Sequence, residues 1–226
     1  TLMGAAAVLH TAGIDWTIGS NYSDGLNYGL FYNDWFLEQL ITRMIAEGRR
    51  LKARKILIGE CGHAVRSAKQ FVPTFNQDGT PPPVISILEL TWQMIAKGKI
   101  KLDPQVITER VTYHDPCNLA RSNWLVKQPR RILRSFVKDF VEMRPHGSDT
   151  YCCGGGGGLV FLDETQDFRM RVAGKIKAEQ IKATGANIVA TSCVDCKKQL
   201  REIVAYYQLP VEIVGIHDLV LRAIKL

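Results

Sequence analysis

Five cysteines in a fixed pattern constrain this chain more than any other feature. Cys117 stands alone, Cys152 and Cys153 are adjacent, and Cys193 and Cys196 form a CxxC. Thirty-four residues separate Cys117 from the pair, and thirty-nine separate the pair from the CxxC. A structural zinc takes four ligands, so one zinc would leave a thiol over. Five thiols suit an iron–sulfur cluster, whose irons are held by cysteine thiolates. Buried free cysteines, or a disulfide between Cys152 and Cys153, are the bland alternatives. An adjacent bridge is strained, and a CxxC alone would be a weak signal.

The pattern becomes spatial once strands are placed. Apolar runs at Ile56–Ile58, Val111–Tyr113 and Ile188–Ala190 read as buried parallel strands, with a further short strand around Val141–Arg144. Cys117, the Cys152–Cys153 pair and Cys193 each follow one of these runs. In open parallel sheets the carboxyl ends of the strands share one edge, and ligands bind there. The helical segments are also legible. Leu37, Leu40, Ile41, Met44 and Ile45 share one helical face, as do Phe168, Val172, Ile176 and Ile181 before Gly185. Ser86-Ile-Leu-Glu89 reads as a capping box.

Two stretches about 130 residues apart are alike. Lys55–Cys61 parallels Asn187–Cys193, Val84–Leu90 parallels Ile213–Leu219, and Gly13–Thr17 parallels Gly147–Tyr151. A shared period suggests duplicated units. The expected fold is therefore α/β, with two pseudo-repeated Rossmann-like units, parallel sheets and the cluster at the carboxyl edge of the second. The expected boundaries are a degenerate first repeat over 1–80, a linking helical region over 81–109 and the cluster-binding repeat over 110–226. Phe71–Pro83, with four prolines, reads as the connection. The first copy keeps only Cys61; Ala64 stands where the second has Cys196. The counterpart of Cys117 would precede Thr1, so the natural protein is expected to extend further at its N-terminus.

Around the cysteines, Gly154 and Gly155 open a run of five glycines that lets backbone N–H groups approach a cluster, or acts as a hinge. No Gly-Lys-Ser/Thr follows, so the run is not a phosphate loop. Cys61 is either a free thiol facing the cluster and able to exchange with a disulfide, or a leftover small core residue. His63 can supply or accept a proton beside it. His114 and Asp115 read as turn residues before Pro116 rather than catalytic groups. His146 and His217 carry no supporting pattern.

The 226 residues carry a net charge of +7, but the basic residues are dispersed, which describes a solvated face and not a nucleic-acid surface. The apolar stretch Leu2–Leu9 is too short to cross a bilayer, and no secretory signal is evident. Six cysteines in a chain of this length do not make a disulfide scaffold.

Tyr113-His-Asp-Pro-Cys117-Asn-Leu-Ala-Arg121, Cys152-Cys-Gly-Gly-Gly-Gly-Gly158 and Ser192-Cys-Val-Asp-Cys196 resemble the CCG cysteine-rich domain of heterodisulfide reductases of the HdrB and HdrD type. With Gly59-Glu-Cys-Gly-His63 the chain is most similar to the DsrK type, from membrane complexes of dissimilatory sulfite (sulfate) respiration. The resemblance implies a noncubane 4Fe–4S cluster on Cys117, Cys152, Cys153, Cys193 and Cys196. It implies reduction of a disulfide or trisulfide, or thiol oxidation in reverse. The implied partners are a DsrC-like sulfur carrier and a membrane quinone-oxidising subunit with the rest of its complex. Cubane 4Fe–4S clusters would lie in the missing N-terminal region, and the location would be cytoplasmic, at the inner face of the membrane. The alternatives are an electron-transfer component of another respiratory dehydrogenase, such as one oxidising glycerol-3-phosphate or lactate, and a non-catalytic relay.

Overall fold

The computed structural model describes residues 1–21, 25–76, 79–122 and 124–225. Within them are two parallel sheets. Strand β1 (Ile56–Ile58) pairs with β2 (Val84–Ser86), Ile56 facing Val84. A four-stranded sheet has the order β4-β3-β5-β6, from β3 (Val111–His114), β4 (Phe140–Glu142), β5 (Ile188–Thr191) and β6 (Glu212–Gly215). Strands β3 and β5 are buried at every residue because each has a neighbour on both sides and helices over both faces.

The helices are α1 (Leu2–Thr11), α2 (Leu26–Tyr32), α3 (Asp34–Arg50), α4 (Gly62–Phe75), α5 (Ile87–Ala96), α6 (Cys117–Ala120), α7 (Lys127–Arg134), α8 (Gln166–Arg169), α9 (Lys175–Thr184), α10 (Val194–Tyr206) and α11 (Ile216–Ala223). Two strand–helix–strand–helix runs have the same order, β1–α4–β2–α5 and β5–α10–β6–α11. They are not independent bodies. One core joins Val65, Ile85 and Leu88 of the first to Ile188, Val214 and Leu219 of the second, with Val111 and Tyr113 of β3 between them.

Several expected elements stand where the pattern put them. Leu37, Leu40, Ile41, Met44 and Ile45 of α3 are all buried, and the capping box at Ser86 is complete. Gly185 ends α9 at φ +61°, a left-handed conformation that favours glycine. Three expectations need correction. The short fourth strand is β4, one residue earlier than expected. Helix α4 runs through Pro73 to Phe75, so the connection to β2 is shorter than its prolines suggest; residues 77–78 lie outside the described residues. The face Phe168–Val172–Ile176 is exposed, and only Ile181 is buried. A π-helical turn, Met170–Gly174, separates α8 from α9. Its wider coil rotates the inward face, which carries Arg169, Met170, Lys177 and Ala178 instead.

Candidate iron–sulfur site

Three strand-to-helix turns set the site. Cys61 caps the N-terminus of α4 after β1, Cys193 caps α10 after β5, and Cys117 opens α6 after β3. Helix N-termini present free N–H groups and the positive end of the dipole, which favour sulfur as thiolate. Cys152 and Cys153 arrive on an irregular segment beyond a 3₁₀ turn at Gly147–Asp149. Asp115 anchors that arrival. It accepts from both terminal nitrogens of Arg130 (2.8 and 2.7 Å) and from the Gly147 N–H (2.8 Å), while Arg130 also reaches Glu142. The turn-forming role expected of Asp115 is therefore present. His114 takes no part in it: both its ring nitrogens lack a partner.

All six cysteines meet. Cys117 Sγ lies 4.0 Å from Cys152 Sγ, and Cys153 Sγ lies 3.3 Å from Cys196 Sγ. Cys61 and Cys193 lie within 4.8 Å of each other, and the thiols of Cys152 and Cys153, and of Cys193 and Cys196, are near enough to shift one another's titration. None is in a disulfide. The result is an unbroken run of sulfur contacts from Cys117 to Cys61. Cys153, Cys193 and Cys196 are buried; Cys61, Cys117 and Cys152 are half-buried and form the open side.

Charge follows from that proximity. Hydrogen bonds from Cys117 and Cys153 pull Cys152 down, and bonds from Cys196, Cys61 and His63 pull Cys193 down. Their donors move up: Cys117 and Cys61 through those bonds and through burial, Cys196 through its bonds to Cys153 and Cys193. Without metal the sulfurs thus share a few protons, which a metal must displace. Burial opposes a charge on His63, but the Asp195 carboxylate, 3.0 Å from Nδ1, and the Cys193 sulfur hold it up at about 9. Burial, then the nearby Lys177, pushes His114 down to about 3. Lys177 is itself wholly buried beside Cys153, Cys196 and Cys152; burial lowers it to about 8, and its ammonium donates to Gln180 Oε1 at 2.6 Å.

The glycines fit closely. A Cβ on Gly154 would sit 2.5 Å from the Ala173 Cβ, and one on Gly155 would sit 2.8 Å from the Gln199 Cβ. Gly154 donates its N–H to Cys152 Sγ at 3.3 Å. Gly156 faces the His63 ring, which packs edge-on against Phe31 at 5.4 Å between centroids.

The donor set fits an iron–sulfur group. It holds six thiols, too many for a single tetrahedral zinc, with backbone N–H and imidazole groups around them. The orphaned nitrogens of His114 point to an absent partner at the same place. Sequence reasoning placed Cys117, Cys152, Cys153, Cys193, Cys196, Gly154 and Gly155 at the edge of the second repeat and Cys61, with His63 beside it, at the edge of the first, and the structure brings these residues of the two sheets next to one another. It missed Asp195, although that residue sits inside the CxxC. It also missed Lys177, hidden by the π turn, and the buried junction in which Glu60 Oε1 accepts from both the N–H and Nδ1 of His217.

Comparison with known proteins agrees with this geometry. The CCG cysteine-rich domain family matches residues 111–201. The Hdr-like menaquinol oxidoreductase iron–sulfur subunit of Archaeoglobus profundus is 32% identical, the match covering 95% of this chain and 45% of that protein. A similar protein of Archaeoglobus fulgidus is 31% identical, over 94% of this chain and 45% of the relative. A component of the dihydromethanophenazine:CoB–CoM heterodisulfide reductase of Methanosarcina mazei is 31% identical, over 72% of this chain and 39% of the relative. The chain thus spans less than half the length of these relatives. No described helix is long and apolar enough to cross a membrane. By its domain, its cysteine site and its relatives, the chain belongs to the CCG-domain, heterodisulfide-reductase-like iron–sulfur oxidoreductases.

Proposed function

We propose that this chain is the cluster-binding part of a thiol–disulfide oxidoreductase, with Cys117, Cys152, Cys153, Cys193 and Cys196 as ligands of a noncubane 4Fe–4S cluster. The observation that carries the reading is the convergence of the sulfurs at one sheet edge with a half-buried open side. When bound, the cluster supplies electrons singly, and cleaving one disulfide to two thiols consumes two electrons and two protons. The protein supplies the remainder. Cys61, on the open side and within 4.8 Å of Cys193, is the thiol a substrate disulfide meets. His63, held by Asp195, carries a proton two residues away for the departing sulfur. Gly154 and Gly155 admit the cluster and donate to its shell.

The relatives named as menaquinol oxidoreductase and heterodisulfide reductase components support a place between a quinone-linked membrane complex and a sulfur substrate. In the DsrK-type reading that substrate is the disulfide or trisulfide of a DsrC-like carrier. Cubane clusters would lie on another part of the protein, and the assembly would sit at the cytoplasmic face of the membrane.

The test is metal content and turnover together. Chain prepared anaerobically should hold about four irons with acid-labile sulfide and little zinc. Cys61→Ser should keep that iron yet slow reduction of the carrier's disulfide by the assembled complex. Zinc without sulfide would refute the cluster. A loaded complex that turns over no disulfide would make the chain an electron relay.

A further inference from the structure

We propose that His114 contacts the bound cluster directly, donating a hydrogen bond from a ring nitrogen to a sulfur of the cluster or of its thiolate shell. The proposal rests on the cluster reading above and assigns a role to a residue outside the ligand set. His114 is the last residue of β3, a central strand, so its ring stands at the carboxyl edge where the cysteines meet. It is 1% exposed, and neither ring nitrogen has a hydrogen-bond partner. A ring nitrogen of His114 and the sulfurs of Cys153 and Cys196 all lie within 4.8 Å of one another.

A buried imidazole without partners is expensive, and buried polar groups in native proteins are nearly always satisfied. Asp115 is taken by Arg130 and Gly147, and the Lys177 ammonium donates to Gln180. The Thr191 hydroxyl, opposite His114 in the sheet register, is buried without a partner and does not bond it. The space that His114 shares with Cys153 and Cys196 is the space the cluster would occupy. The thiols there already suffice as iron ligands, whereas electron-rich sulfurs need donors. Hydrogen bonds to cluster sulfurs stabilise the more negative, reduced state and so raise the potential.

The experiment uses the chain labelled with ¹⁵N-histidine, loaded anaerobically with iron and sulfide and poised in its paramagnetic state. Pulsed EPR should show a weak ¹⁵N coupling, of hydrogen-bond size. It should survive in His63→Gln, which removes the other imidazole near the cysteines, and vanish in His114→Leu. His114→Leu should retain iron and shift the reduction equilibrium about tenfold towards the oxidised form, about 59 mV for one electron. His114→Gln, which restores an N–H, should recover part of that shift. A coupling of directly bonded size would make His114 a ligand and overturn the proposal. So would no coupling in loaded His63→Gln, or an unchanged potential in His114→Leu. If His114→Leu fails to fold, the labelled His63→Gln spectrum decides alone. A chain that takes up no iron sinks the cluster reading instead.

Discussion

Cys61 and Cys193 occupy the same station in two strand–turn–helix units. Each caps a helix just past a parallel strand, with φ/ψ of −142°/113° at Cys61 and −148°/126° at Cys193. The two turns touch: the Val194 N–H donates to the Glu60 carbonyl at 3.0 Å, and His63 of one turn meets Asp195 of the other. One turn further along the helix the units part. Cys196 reaches Cys153 at 3.3 Å, while its counterpart Ala64 is buried in an apolar cluster with Leu37 and Ile41. Among the described residues the first sheet also has only two strands, with nothing beside β1 to play the part of β3 and its Cys117. Backbone geometry alone therefore does not make a ligand site. At Cys193 the same cap stands among Cys153 and Cys196 of its own half, whereas the first half offers Cys61 alone.

The largest expected effect tests that distinction. Cys196→Ser should lower bound iron at least about tenfold, because it removes one of the proposed ligands. Cys61→Ser should leave the iron in place. Iron and sulfide analysis after anaerobic loading measures both. Equal losses would break the comparison and make Cys61 a sixth ligand.

The next effect concerns what holds each turn. Asp115 binds the Cys117 turn to the segment before the cysteine pair through buried Arg130. Asp115→Ala should destabilise the chain by about 3–5 kcal/mol, since it strips a buried cation of its bidentate partner. Denaturant melts of the metal-free protein read this directly. A loss below about 1 kcal/mol would mean that Glu142 alone satisfies Arg130.

Why some of this was legible in the sequence and some was not has a physical explanation. Strands β3 and β5, buried on both faces, read as continuous apolar runs, and β1 carries the same Ile-Leu-Ile run although it is only half-buried, so all three were visible, and with them the edge where the cysteines converge. The capping box at Ser86 and the stop at Gly185 are local chemistry and were equally plain. The inward face of the 166–184 segment was misread because periodicity assumes 3.6 residues per turn, and the π turn at Met170–Gly174 breaks that count. The same break hid Lys177 on a face that seemed outward. Asp195 was not found because a partner 132 residues away leaves no mark in local spacing, and His114 was read as a turn residue because nothing local marks a buried ring without a partner.

The contact between the two turns has its own pH signature. His63 stands at about 9 in the folded, metal-free chain, above its ordinary value of 6.5. A raised folded value means a contribution present in full below about 6.5 and lost as pH rises through about 9. Between those limits the metal-free protein should lose on the order of 1–3 kcal/mol, and His63→Gln should flatten that slope. An unchanged slope in His63→Gln would show that the two turns are not joined by this pair.

The smallest effect compares the second helix of each unit. At α5 the Ser86 hydroxyl accepts from the Leu88 N–H at 3.3 Å, and Glu89 accepts from the Ser86 N–H at 2.8 Å. At α11 Gly215 has no side chain, and only the second bond is made, from the Gly215 N–H to Asp218 at 2.8 Å. A side chain there is excluded, since a Cβ would lie 2.4 Å from Glu60 Oε2, the carboxylate that holds His217. Ser86 faces no such limit and keeps its hydroxyl. Ser86→Ala should therefore cost about 1 kcal/mol, and Ser86→Gly only a few tenths, because glycine is itself a tolerated cap. Chemical melts of the three proteins measure the difference. Equal costs for the two variants would mean that α5 is held by the Glu89 bond and its packing alone, as α11 is.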